Sequence, residues 1–353
     1  MERIKTKILA MVCIALFLPA LIPSTIPSAK ASGTTAYLAV AVYNVSNDPG
    51  DVWGESVTYN LAKAIEQTPK FTVNGKSYKF YIKKYVTYND IVNGELSEGY
   101  KLFAAPGDSD YYDDQIAHGL PSSYSNRKFR NNIKNFIENG GGYIGTCGGA
   151  TFACWAHRDK EWWSTPYPEY HLQMVDAYAN NCQETGVIPQ GEEMEYAEKG
   201  CLSGYPGYEH GIPLTSHIKD TNLAYQVLGT RNVNKNLRYW GGPGFHEVDD
   251  ADTLATYAEE PSQNNDKKIH DSNGNVIETD IDNMASILAT TYPYNTGGRV
   301  VIFGQHPELH SWSGGHVEEN SAYTKYQWVG GTETSASWDL IQNAAKWIVS
   351  KWL

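Results

Sequence analysis

Apolar positions along the chain keep two rhythms. Ala36–Tyr43 (AYLAVAVY) is a short, continuous apolar run, which predicts a buried strand. Val57, Leu61, Ala64 and Ile65 follow at helical spacing. Phe80–Val86 predicts a second strand, and Lys101–Ala105 a third that ends at Pro106-Gly107. Phe129, Ile133, Phe136 and Ile137 mark the core face of a helix, which Gly140-Gly141-Gly142 terminates. Tyr143-Ile144-Gly145 is a very short strand running into Thr146-Cys147. Ser286–Thr291 and Val300–Gly304 predict two late strands, and Leu340, Ala344, Trp347 and Ile348 a closing helix. Alternating β and α units imply an α/β fold, with an open parallel sheet and helices on both faces.

Residues 155–285 break that rhythm. They are rich in Trp, Tyr, Pro, Gly and Glu, and Ile269–Glu278 predicts a hairpin around Asn273-Gly274. This stretch is expected to be a strand- and loop-rich insertion into a single domain spanning 32–353. No period of 20–50 residues is visible, so a repeat architecture is not expected.

The first 31 residues carry a different signal. Arg3, Lys5 and Lys7 precede an apolar stretch from Ile8 to Ile22, and Ala29-Lys30-Ala31 fits an A-x-A cleavage site. Residues 1–31 therefore predict a secretory signal peptide and a secreted or extracytoplasmic protein. The apolar run is short for a bilayer span, which takes roughly 20 residues. An uncleaved anchor is the alternative, and no stable membrane insertion is expected after cleavage.

Composition narrows the function classes. The chain has 353 residues, 41% of them hydrophobic and 19% charged, as in ordinary globular proteins. Net charge is -12, and without Glu2 and the four cations Arg3, Lys5, Lys7 and Lys30 it is -15. Such a surface repels phosphate backbones, so nucleic acid is not an expected partner. Beyond residue 31 the cysteines are Cys147, Cys154, Cys182 and Cys201. Cys147 and Cys154 on one helix would lie about 10 Å apart, too far for a disulfide. Export therefore predicts a Cys182–Cys201 bridge and a free Cys147.

The candidate chemistry sits at two places. Gly145-Thr146-Cys147-Gly148-Gly149 lies where a strand turns into a helix, the arrangement of a nucleophile elbow. The glycines permit a sharp turn, and the helix start favours a thiolate. A Gly-rich joint around a buried, inert cysteine would look the same in isolation. Gly304-Gln305-His306-Pro307-Glu308 follows a predicted strand, at the edge where open α/β sheets carry their sites. A catalytic thiol needs a base, and the base an orienting group; His306 and Glu308 can fill those roles.

These pieces resemble the class I glutamine-amidotransferase-like superfamily. Within it the chain looks most like the biotin-protein ligase N-terminal domain family. The matching motifs are Ala105-Pro106-Gly107, residues 141–149 (GGYIGTCGG), 239–245 (YWGGPGF) and 298–308 (GRVVIFGQHPE). The resemblance implies a flavodoxin-like sheet with Cys147 as nucleophile, His306 as base and Glu308 as orienter. It also implies oxyanion donors on the backbone at Gly148 and at Gly107-Asp108. Asp108 departs from the family's usual second glycine there, and places a negative side chain beside a developing oxyanion. Gly148 follows the cysteine where the related intracellular-protease branch commonly carries His. The glycine and lysine motif of a biotin-ligase catalytic domain is absent, so biotin ligation is not implied.

The combined expectation is a thiol hydrolase or acyl transferase acting on a small-molecule or peptide amide, with no cofactor. A non-catalytic extracellular binding module on the same fold is the alternative. His306, Glu308, His310 and His316 are zinc-ligand types, but their spacing lacks the helical register of H-E-x-x-H, and no metal is expected. The acidic clusters Asp108, Asp110, Asp113, Asp114 and Asp249, Asp250, Asp252 lack calcium-loop spacing, and in 271–275 a hairpin turn is favoured over a calcium loop. Trp155, Trp162, Trp163, Tyr167 and Tyr170 fit a sugar or peptide cleft as well as core packing.

Overall fold

The computed structural model describes residues 34–45, 57–107, 124–157, 171–180, 211–270, 276, 278–320 and 325–353. The organising element is a mixed sheet of thirteen strands. At its centre lie β1 (Ala36–Tyr43), β3 (Lys76–Val86), β4 (Leu102–Ala105), β5 (Gly142–Thr146) and β13 (Gly298–Phe303). These five run parallel in the order β3-β1-β4-β5-β13. Each of these strands except β3 is buried along all or nearly all its length, as expected of a sheet covered on both faces.

Alternation along the strands sorts the core into two layers. Leu38, Val40 and Val42 of β1, Leu102 of β4, Ile144 of β5 and Phe303 of β13 face one way. They pack with α1 (Val57–Glu66), α5 (Asn222–Leu228) and α6 (Trp338–Ser350). Tyr43, Phe103, Tyr143 and Ile302 face the other way, toward α2 (Tyr88–Val92), α3 (Tyr124–Glu138) and α4 (Gly148–Ala153). Helices therefore cover both faces, and the molecule is a mixed α/β protein.

The sheet is not parallel throughout, and here the expectation is corrected. β12 (Ala285–Tyr292) pairs antiparallel with β13. Only residues 293–297 join the two, far short of the dozen or more that a parallel crossover needs. β12 also pairs antiparallel with β10 (Phe245–His246) and β11 (Asp252–Tyr257). β11 leads on to β8 (Ile212–Ile218) and β9 (Val233–Tyr239), and β10 to β7 (Tyr178–Ala179) and β6 (Ala156–His157). The described parts of 155–285 thus continue the central sheet, and α5 among them packs on its face. The hairpin expected around Asn273-Gly274 lies outside the described residues, but an antiparallel bridge joins His270 and Val276 on either side.

Besides α2 and α5, two strand features had no counterpart in the expected elements. β2 (Phe71–Val73) turns into β3 through Asn74-Gly75, both at positive φ (50° and 78°). After the His-Pro-Glu segment, β14 (Ser311–Ser313) pairs with β17 (Thr332–Thr334), and β15 (His316–Asn320) with β16 (Lys325–Val329). Among the described residues no helix is long and apolar enough to cross a membrane.

Candidate active site

Cys147, Gly107 and His306 come off the carboxyl ends of β5, β4 and β13, three neighbouring parallel strands. Cys147 occupies the joint between β5 and α4 at φ +48°, ψ −116°, a left-handed backbone that few non-glycine residues take up. Holding it costs about 1–3 kcal/mol, so the surroundings must enforce it. Two contacts do so. The Cys147 N–H donates to the Phe303 carbonyl at 2.8 Å, and the first turn of α4 closes onto the Cys147 carbonyl from Ala150 and Thr151, both at 2.9 Å. Gly149 then passes so close to the end of β4 that a Cβ there would run into the Ala105 carbonyl. Gly149 therefore serves close approach of helix to strand.

The His-Pro-Glu segment is held from several sides. The His306 N–H donates to the Arg238 carbonyl at 2.9 Å, which ties it to the end of β9. Trp338, at the start of α6, donates its indole N–H to the Glu308 carbonyl at 2.8 Å. Gln305 is buried, and its amide donates to the Leu214 carbonyl at 2.9 Å while its oxygen accepts from Ser216. Ser216 also reaches Ser286 on β12 at 2.8 Å.

These supports bring Cys147, His306 and Glu308 together, exposed by only 5%, 3% and 1%. His306 Nδ1 lies 2.8 Å from Glu308 Oε1. A carboxylate only accepts, so Nδ1 carries the proton. On its other side the His306 ring lies beside Cys147, the two meeting at Gly107. Burial alone would favour neutral imidazole, but the adjacent Cys147 and Glu308 side chains favour the charged ring and outweigh it. The His306 pKa is pushed up to about 10, which favours the charged ring. Thr146 donates to the same Glu308 Oε1 at 3.0 Å. The Cys147 thiol also reaches the Trp240 carbonyl at 3.7 Å, and the Trp240 ring lies 6.3 Å from that of His306.

Gly107 closes the other side. A Cβ on it would strike His306 Cε1 and come within 2.9 Å of Cys147 Cβ. Gly148 opens α4 directly after Cys147, where a helix leaves its first N–H groups without intrahelical acceptors. Asp108 lies outside the described residues, as do Cys182 and Cys201. Cys147 and Cys154 are both free and buried.

The other candidates fall elsewhere. The His310 ring faces the Arg238 guanidinium, and His316 lies 3.9 Å from Glu318 at the surface, so neither joins His306 and Glu308. Among the described residues no group of three or more His, Cys, Asp or Glu is arranged to hold a metal ion. Trp155 is exposed, while Trp162, Trp163, Tyr167 and Tyr170 lie outside the described residues. Asp249 and Asp250 lie near Asp176, whose carboxyl is raised by burial and by those two charges. Arg238, Trp240 and Trp338 did not emerge from the sequence as site residues. Trp240 lies within the YWGGPGF motif, but Arg238 and Trp338 carry no local signal.

No protein-family model matches the chain, and no curated protein matches it. Solved structures with similar arrangements include a ThuA-like protein of Bacteroides uniformis, at 13% identity and TM-score 0.45, over 92% of this chain and 96% of that one. A cytoplasmic protein of Salmonella typhimurium is similar at 9% identity and TM-score 0.40, over 89% and 98%. A β-galactosidase of Bacillus circulans is similar at 9% identity and TM-score 0.37, over 78% of this chain and 29% of its own.

Proposed function

We propose that the protein is a cysteine-dependent amide hydrolase or acyl transferase on an amidotransferase-like core. One observation carries the reading: the His306 ring and Cys147 sit side by side against Gly107, and His306 Nδ1 is held by Glu308 Oε1 at 2.8 Å. Counted along the chain, the five parallel strands stand in the order 2-1-3-4-5, which supports a flavodoxin-like core. The motifs that resemble the biotin-protein ligase N-terminal domain family supply the elbow and the His-Pro-Glu segment. We read residues 1–31 as an export signal and the mature chain as extracytoplasmic.

The chemistry follows from the charge state. Cys147 attacks the amide carbonyl as thiolate, forming a C–S bond and a tetrahedral oxyanion. Backbone N–H groups at Gly148 and Gly107-Asp108 are the donors for that oxygen. The His306 imidazolium gives its proton to the departing amine as the C–N bond breaks, leaving an acyl-thioester and a neutral ring. Neutral His306 then takes a proton from water, or from an accepting amine, which attacks the thioester and releases Cys147. Glu308 keeps the ring in the tautomer that both steps use.

A second reading has one observation in its favour. The Cys147 sulfur is within reach of the Trp240 carbonyl, which would hold it as a protonated donor in a non-catalytic binding module. Thiol reactivity separates the two. An ordinary cysteine, with a pKa of about 8.5, alkylates sluggishly near pH 6. For Cys147 we expect iodoacetamide labelling, read by mass spectrometry, to persist near pH 6. His306→Ala should cut the acid-side rate by about tenfold or more, and Glu308→Ala by less, since Glu308 acts through the ring. An ordinary profile, unmoved by His306→Ala, would leave the binding module.

A further inference from the structure

We propose that Thr146 is a positioning residue of this site: through Glu308, its hydroxyl fixes the carboxylate that orients His306 and governs how tightly the ring holds its proton. The inference rests on the Cys-His-Glu reading above and adds a residue that reading does not use.

The geometry is specific. Thr146 is the last residue of β5, and its backbone leads directly into Cys147. Its side chain is fully buried. The hydroxyl donates to Glu308 Oε1 at 3.0 Å, the same oxygen that accepts His306 Nδ1–H at 2.8 Å. Glu308 Oε2 is buried and has no hydrogen-bond partner among the described residues. Among those residues the carboxylate therefore rests on two side-chain donors, both at one oxygen. With so few donors, each carries a large share of the stabilisation of the buried charge.

Two consequences follow. The hydroxyl ties Glu308 to the strand that bears the nucleophile, so sulfur, ring and carboxylate share one frame. It also competes with His306 for the charge on Oε1. Without it, that oxygen becomes a stronger acceptor for Nδ1–H, and the imidazolium holds its proton more firmly. The charged groups acting on His306 are Cys147 and Glu308. Arg238, whose carbonyl accepts from the His306 N–H, has its guanidinium engaged with His310.

The test is the titration of His306 in the full chain. Its ring ¹⁵N resonance, assigned by its loss in His306→Asn, is followed from neutral to alkaline pH. Thr146→Val removes the hydroxyl and keeps the branched shape, while Thr146→Ser keeps the hydroxyl. In the wild type the midpoint is expected near 10. In Thr146→Val it should rise by about one pH unit, since the lost bond is charge-assisted. Thr146→Ser should follow the wild type. A merely structural role for Thr146 would not move this midpoint. Thr146→Val titrating with the wild type, or Thr146→Ser shifting equally, would overturn the proposal and leave the triad intact. If Thr146→Val fails to fold, Thr146→Ala takes its place. If neither folds while Thr146→Ser does, the hydroxyl is structural and the proposal falls. A wild-type midpoint at the ordinary histidine value would remove the triad reading itself.

Discussion

At the scale of single residues, the candidate site depends on atoms that are absent as much as on those present. Gly107 leaves no room for a Cβ between the His306 ring and Cys147. Gly107→Ala should therefore push the ring off the sulfur, at an overpacking cost of about 1–3 kcal/mol. The expected outcome is a folded protein with a slightly lower melting midpoint and at least about a tenfold loss of Cys147 alkylation near neutral pH. A variant that melts lower but alkylates normally would mean that Gly107 only packs. His171 makes a second prediction, with the opposite charge logic to His306. Its Nδ1 meets the Thr151 carbonyl at 3.1 Å, one turn beyond Cys147. Burial outweighs that carbonyl, nearby Arg130 opposes a second positive charge, and the pKa falls to about 4. An unfolded histidine titrates at about 6.5. Between those values the unfolded chain binds the extra proton, so stability present above about pH 6.5 is lost as pH falls toward 4. His171→Asn should flatten that acid decline by on the order of 2 kcal/mol. Chemical denaturation at several pH values checks it, and an unchanged slope would show that His171 carries no such load. Cys147, His306 and Glu308 were legible in the sequence because short motifs carry them on the carboxyl side of apolar runs. Arg238 and Trp338 were not, because each reaches the site from an element whose local pattern is set by packing.

At the scale of elements, the apolar rhythm located the central strands well. β1 and α1 begin and end where the runs do, and β4, β5 and β13 differ from their expected spans by a residue or two. What escaped were the short helices α2 and α5 and strands built on turns. Asn74-Gly75 between Phe71–Val73 and Lys76 is a strong two-residue hairpin signal, but the short first strand holds too few residues to show alternation. The antiparallel β12–β13 pair was legible in principle from the short gap between two apolar runs. The strand-rich 155–285 stretch was recognised as departing from the rhythm, but its pairing with β12 depends on partners distant in sequence. One consequence can be tested. Gln305 ties the His306 segment to β8 and β9 through the Leu214 and Leu237 carbonyls, and to Ser216, which also contacts Ser286 on β12. Gln305→Leu strands these buried groups, each worth about 1–3 kcal/mol when left unpaired. We expect a loss of about 2–4 kcal/mol in denaturant unfolding. Cys147 alkylation should weaken as well, because His306 is the next residue. Full stability in Gln305→Leu would mean that water replaces the network.

At the scale of the whole molecule, the proposed activity and the proposed export together require the chain to keep one reactive thiol in an oxidising compartment. The fold separates its two described cysteines by environment as well as by distance. Cys147 stands at the strand–helix joint, beside His306. Cys154 follows the last residue of α4, fully buried, with its sulfur 3.4 Å from the Ala150 carbonyl. Burial pushes the Cys154 thiol well up, so it has little thiolate with which to react. If Cys182 and Cys201 are bridged, the native mature protein offers a single reactive sulfur. The prediction is a ratio of labels. Under native, non-reducing conditions near neutral pH, a maleimide or iodoacetamide pulse should modify Cys147 alone. After unfolding without reductant, Cys147 and Cys154 should label, and reductant should release Cys182 and Cys201. Peptide mapping reads all four positions in one experiment. Native labelling at Cys154 would show that the α4 end opens, and Cys147 found in a disulfide would remove the catalytic reading. Labelling of Cys182 and Cys201 before reduction would remove the bridge, and with it the main chemical consequence drawn from export.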